Sequence, residues 1–254
     1  MKPGCEGTAN GGSWNRANPG RTALVKLRLN NYSDAERAAE VIGRGDHRDW
    51  VGGLWHEIGD LQFDFLLDKS LRPDMRVLDI GCGCFRCGVP LVRYLDPGRY
   101  YGMDISQEIM DVGYTEELVP LGLDSKLPRE NLLCDETFQV DHFGVKFDVV
   151  LAQSLFTHLP LNHFRLCMAK LVDSVNIGGI ACVTAFICPD EHDLNAPYRH
   201  PRGGIITHPA NDPYHYRMAD FEYCLRGMPW KLDYQLDWGH PRNQSMLTIT
   251  RTQD

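Results

Sequence analysis

With 254 residues, 43% of them apolar and 24% charged, the chain is long enough to fill one core and too apolar to stay unfolded. Its formal net charge of −8 removes the general attraction to phosphate backbones that dominates nonspecific nucleic-acid binding, so no nucleic-acid partner is expected. No apolar run approaches the roughly 20 residues that cross a bilayer, and the N-terminus MKPGCEGTANGGSWNRANPG has no apolar signal region, so a cytoplasmic protein without membrane contact is expected.

Residues 1–20, rich in Gly, Asn and Ser and without periodicity, read as a mobile tail ahead of a single domain over 21–254. Leu54, Ile58, Leu61 and Phe65 share one face of a helix running to about Lys69. MRVLDI (75–80) is a short apolar strand that ends in a glycine loop, and a helix follows over 89–95 with Pro90 near its start. A second strand over 99–105 and a helix over 107–118 come next, then strands over 130–135 and 147–152. Leu161, Phe164, Met168, Leu171 and Val175 make a helical stripe that Gly178-Gly179 closes, ahead of a fifth strand over 180–186. Apolar strands alternating with helices imply a parallel sheet covered on both faces.

Residues 188–217 break that rhythm. They are irregular, punctuated by proline, and carry His192, His200, His208 and His215 at spacings that match no familiar metal pattern. With a short helix over 219–225 they form an insertion at 188–226, read as a substrate lid. WKLDYQL and SMLTITR then form a C-terminal hairpin. The expected fold is α/β: a seven-stranded, doubly wound, mostly parallel sheet with one antiparallel strand.

The sequence GCGCFRCG (81–88) poses the functional question. Cys84 and Cys87 form a C-x-x-C between a strand and a helix, where a thiol could be activated, but Gly81 and Gly83 have no part in that chemistry. The nine cysteines are odd in number and several lie inside apolar segments, as buried reduced thiols do. No metal spacing is complete, and no metal site is expected. Glycines between a strand and a helix let a cofactor approach the backbone. A nicotinamide-binding loop would need G-x-G-x-x-G, and the sixth position here is Arg86. A carboxylate at Asp79 is badly placed for a pyrophosphate and well placed for a cationic amino acid.

VLDIGCGCFRCG and YYGMDIS, followed by FDVVLAQSLFTHLP and GGIACVTAF, resemble the ordered motifs of class I S-adenosylmethionine-dependent methyltransferases of a bacterial small-molecule type, over residues 54–187. The resemblance implies a Rossmann-like fold with S-adenosyl-L-methionine as cofactor. Asp79, Gly81, Gly83 and Gly88 match the loop around its methionine part, and Asp104 the acid that accepts from the ribose hydroxyls. Ile105 matches the residue packed on adenine, and Asp135 is the candidate for the adenine amino group. Gln153 and Ser154 follow strand four beside the transferred methyl. Trp55, Glu57 and Gln62 sit where a preceding helix can cover the cofactor.

An acceptor hydroxyl needs a base, and histidine suits that role near neutral pH. His158 comes first, with His215 and His240 as the other candidates. The expected reaction is methyl transfer to a small polar molecule, with oxygen favoured over nitrogen, by a monomer or homodimer. An N-methyltransferase, a peptide or protein methyltransferase and a non-catalytic cofactor-binding subunit are the alternatives.

Overall fold

The computed structural model describes residues 30, 32 and 34–253; the tail expected over residues 1–20 lies outside them. The described chain opens with helices α1 (Ala35–Gly43), α2 (His47–Trp50) and α3 (Trp55–Asp68). There follow β1 (Val77–Ile80), α4 (Gly88–Tyr94), β2 (Tyr100–Asp104), α5 (Gln107–Gly113), β3 (Leu132–Cys134), β4 (Phe147–Ala152), α6 (Leu161–Leu171) and β5 (Val175–Ala185). A two-residue pair, β6 (Tyr198–Arg199) and β7 (Ile206–Thr207), precedes α7 (Met218–Leu225), β8 (Trp230–Gln235) and β9 (Ser245–Arg251).

Seven strands form one sheet in the order β3-β2-β1-β4-β5-β9-β8, with β9 the antiparallel member, as the sequence predicts. Side chains alternate across it with the two-residue strand period. Val77, Val149 and Leu151 pack into one core, while Leu78, Ile80, Val150 and Ala152 pack into another on the opposite face. Because both faces are covered, β1 is buried along its whole length. Asp79 is the one carboxylate in that strand, and its burial calls for a reason beyond folding.

Two boundaries differ from the sequence reading. Val175 does not end the helical stripe: α6 stops at Leu171 and Val175 opens β5, paired with Phe147. Gly178, at φ 82°, and Gly179 lie in a register shift inside β5, where a Cβ on Gly179 would come within 2.9 Å of the Asn176 carbonyl. The pair accommodates a bulge and does not stop a helix. The helix expected to run to residue 118 keeps α geometry only to Gly113 and continues as one π-helical turn over Tyr114–Leu118.

That turn positions Glu117, the residue that anchors α2. Arg48 donates to both of its carboxylate oxygens at 2.7 Å, and His47 Nε2 lies 2.7 Å from Oε1. A bidentate pair of this kind, with Glu117 buried and Arg48 half exposed, fixes orientation as well as distance. It holds α2 against the end of α5, over the carboxyl edge of the sheet. Among the described residues no helix is long and apolar enough to cross a membrane.

Candidate functional site

The loop after β1 is built for close approach. Gly81 and Gly83 sit at φ 77° and 53°, the left-handed region that strains any residue with a Cβ. A Cβ on Gly83 would also lie 2.7 Å from the Val51 side chain. Gly88 plays another part: it lies behind the loop, where a Cβ would strike Phe85 at 2.7 Å and the Tyr100 hydroxyl at 2.9 Å. Across the loop, Asp104 ends β2 and accepts from the backbone N–H of Gly83 (2.8 Å) and of Ser106 (3.0 Å). Each of its oxygens keeps a lone pair for a further donor.

The loop borders a cavity of about 490 Å³ at the carboxyl ends of β1, β2 and β4, the crevice where open α/β sheets bind ligands. Asp79, Gly81, Gly83, Asp104, Ile105 and Asp135 line one part of it, and Gln153, Ser154 and His158 another. Gly88 does not line it.

Four polar atoms at this cavity are buried without a hydrogen-bond partner among the described residues: Gln62 Oε1, Gln153 Oε1, Arg86 Nε and His163 Nδ1. Orphans of this kind normally cost about 1–3 kcal/mol each, so their convergence marks a place meant for a ligand. Asp79 adds to them. Burial pushes its carboxyl up to about 7, against the Tyr100 hydroxyl that donates to it at 2.9 Å and favours the charged form. Two amide oxygens and a carboxylate can receive an ammonium group, and Arg86 can receive a carboxylate. Arg86 Nη1 meanwhile donates to the carbonyls of Val51 and Gly53 at 3.0 Å, which ties the loop to the α2–α3 turn.

At the other end, the chain leaves β4 through Ser154 at φ 55° and turns back, with the Thr157 hydroxyl bonded to the Ser154 carbonyl at 2.7 Å. This presents His158. Its Nδ1 lies 2.5 Å from Asp212 Oδ1, which leaves Nε2 as the ring nitrogen for another partner. The Tyr32 ring packs edge-on at 5.0 Å, and the Asn30 amide donates to the His158 carbonyl at 3.2 Å. Pairing with a carboxylate at Nδ1 fixes both the tautomer and the orientation of an imidazole.

The other two histidines are elsewhere. His215 is buried beside β7, where its Nδ1 and His200 Nε2 share the Thr207 hydroxyl at 2.9 and 3.1 Å. Burial holds its imidazolium below the ordinary range, with nearby His192 acting in the same direction. His240 is buried next to Gln153, 3.3 Å from its amide nitrogen. Burial and the charges of Arg86, Arg242 and Arg202 push it down to about 3. Asp135 is on the cavity wall, but the N–H groups of Gln139 and Thr137 and the Thr137 hydroxyl already occupy its oxygens.

The loop cysteines are buried, and none shows the depressed pKa of an activated thiol. Burial pushes Cys84 up to about 12 and Cys82 and Cys87 well above the usual thiol range. Among the described residues no group of three or more His, Cys, Asp or Glu is arranged to hold a metal ion.

Sequence reasoning did not single out Tyr32, Trp50, Arg86 or Asp212, which complete these walls. The sixth position of the loop, Arg in place of Gly, was the available signal for Arg86. The others carry no local pattern.

No protein-family model matches the chain. Among solved structures it is similar to magnesium protoporphyrin IX methyltransferase (ChlM) from Synechocystis PCC 6803 with bound SAM, at TM-score 0.55 and 14% identity over 89% of this chain and 88% of that one. It is also similar to an O-methyltransferase family protein from Burkholderia thailandensis, at TM-score 0.61 and 13% identity over 85% and 62% of the two chains. A third, the CcbJ methyltransferase from Streptomyces caelestis, matches at TM-score 0.55 and 16% identity over 76% and 96%. The chain therefore has the Rossmann-like fold of class I S-adenosylmethionine-dependent methyltransferases.

Proposed function

We propose that the protein is an S-adenosylmethionine-dependent methyltransferase that acts on a hydroxyl of a small polar molecule. The observation that carries the reading is the convergence of Gln62, Asp79, Gln153 and Arg86 on one cavity that also holds Asp104. That set fits the cofactor from end to end. Gln62, Gln153 and Asp79 would take its ammonium, Arg86 its carboxylate and Asp104 its ribose diol. Ile105 and Phe138 would flank the adenine, with Asp135 or its neighbour Glu136 near the exocyclic amine.

When bound, S-adenosylmethionine supplies a methyl group on a sulfonium, which leaves as a neutral thioether with the C–S electron pair. Everything else falls to the chain. His158 Nε2 accepts the hydroxyl proton as the oxygen–carbon bond forms, and Asp212 holds the ring and balances the imidazolium. The walls hold the reactants in line, an effect worth up to about 7–11 kcal/mol when orientation is complete. This pair favours a catalyst over a cofactor-binding subunit, and a hydroxyl over an amine that needs no such base. The net charge of −8 favours a small molecule over nucleic acid. Eight free cysteines among the described residues, all buried but Cys134, suit a cytoplasmic setting.

Asp104→Ala provides the test. Hydrogen bonds to a charged group contribute about 1.5–3 kcal/mol each, so calorimetric affinity for S-adenosylhomocysteine should fall about tenfold or more. Unchanged affinity would remove Asp104 from the site and the cofactor assignment with it.

A further inference from the structure

A second cavity, of about 350 Å³, adjoins the first, and Tyr32, Trp50 and His158 line both. Its other walls are Arg37 from α1, Asp49 from α2, and Asp212 and Pro213 from the segment after β7. Tyr32 and Trp50 meet edge to face with centroids 5.7 Å apart, and the Arg37 guanidinium lies 5.7 Å from the Trp50 ring centre. Two aromatic rings are thus interleaved with four ionisable side chains: Arg37, Asp49, His158 and Asp212.

That mixture selects a chemical class. An anionic acceptor would face Asp49 and Asp212, and a cationic one would face Arg37. A flat phenolic ring, with its one or two hydroxyls in a single plane, would strip water from Arg37, Asp49 and Asp212 and return too few hydrogen bonds to serve all three. Hydroxyl groups both donate and accept, so a neutral polyol satisfies the carboxylates and the guanidinium together. Its C–H face packs on an aromatic ring, which offers a rigid apolar surface. The volume is near the small end of ligand cavities, which run from about 300 to 1,000 Å³, and suits a monosaccharide or small disaccharide.

We infer that this second cavity is the acceptor subsite and that it takes a glycosyl ring, with one sugar hydroxyl set against His158 Nε2. The inference rests on the larger cavity being the S-adenosylmethionine site. In the transfer the sugar oxygen gains the methyl, the C–S pair stays on sulfur, and the hydroxyl proton ends on His158 beside Asp212. The segment over 188–226 then acts through Asp212 and Pro213, as one wall of the sugar site.

The test uses the full chain saturated with S-adenosylhomocysteine. Methyl α-glucoside, methyl α-galactoside, methyl α-mannoside, methyl α-rhamnoside and, separately, catechol are offered to it, and saturation transfer to ligand protons is read by NMR. At least one glycoside should receive saturation at its ring C–H protons. Arg37→Ala or Asp49→Asn should weaken that glycoside about tenfold while S-adenosylhomocysteine affinity stays within about twofold. Saturation of catechol alone, silence from every probe, or glycoside binding indifferent to both substitutions would overturn the inference. Failure of S-adenosylhomocysteine to bind would remove the parent reading, and this one with it.

Discussion

Asp79 occupies a strand position where an apolar residue would stabilise the protein more. Its carboxyl, pushed up to about 7 by burial, lies above the ordinary value of the unfolded chain. For an acid this sign means that the penalty is absent below about pH 4, grows as pH rises toward 7 and stays constant above. Asp79→Asn should therefore raise the ligand-free thermal midpoint by a few degrees at pH 8, with the gain shrinking toward pH 4. The same substitution should weaken S-adenosylhomocysteine. In the parent protein the carboxylate gains its charge as pH rises through about 7, so calorimetric affinity should rise from pH 6 to pH 8. A flat profile would free Asp79 from any role toward the ligand's ammonium. His158 answers to a different readout. Once an acceptor is known, His158→Ala should lower kcat by about 10²–10⁴, and Asp212→Asn should lower it less, with cofactor affinity unchanged in both. Equal loss of cofactor binding would mean that the pair is structural.

The helix α2 is tied down by Glu117, which the π turn after α5 turns toward His47 and Arg48. The backbone itself supports the fit: a Cβ on Gly113 would lie 2.5 Å from the Cys84 Cα, so α5 packs directly on the glycine loop. The Arg48 and His47 hydrogen bonds outweigh burial and hold the Glu117 carboxyl below its ordinary range. A depressed carboxyl adds stability above its unfolded value and loses it as pH falls through the folded one. Glu117→Gln should destabilise by about 1–3 kcal/mol at pH 7, measured by urea unfolding, and the difference should shrink as pH falls below the ordinary glutamate range. It should also loosen Trp50 and Tyr32 and so weaken acceptors more than S-adenosylhomocysteine. A loss confined to cofactor affinity would contradict the division of labour between the two cavities.

How much of this was readable in advance depended on sequence distance. Strand, glycine loop and helix lie within a short span and are set by period and turn chemistry, so they were readable one residue at a time, whereas Asp104 was singled out only by the resemblance that YYGMDIS carries. Gly178-Gly179 carried two meanings, helix stop and strand bulge, and only the pairing of Val175 with Phe147 decides between them. His215 and His240 were candidates by residue type, and neither reaches the cavity; burial is a property of the fold and left no mark in their neighbours. Asp212 meets His158 across 54 residues that include α6 and β5, and Tyr32 meets it across a longer span, with no period to announce either contact. Contacts of that kind come from packing.

At the scale of the whole molecule, the proposed function comes to one claim: a zwitterionic amino acid joined to a nucleoside fills the larger cavity. Calorimetric titration of the purified protein with S-adenosylmethionine, S-adenosylhomocysteine and NAD tests it most directly. Micromolar binding of the first two, with one site per chain and no heat from NAD, is the predicted result. Binding of NAD in their place, or of none of the three, would contradict it.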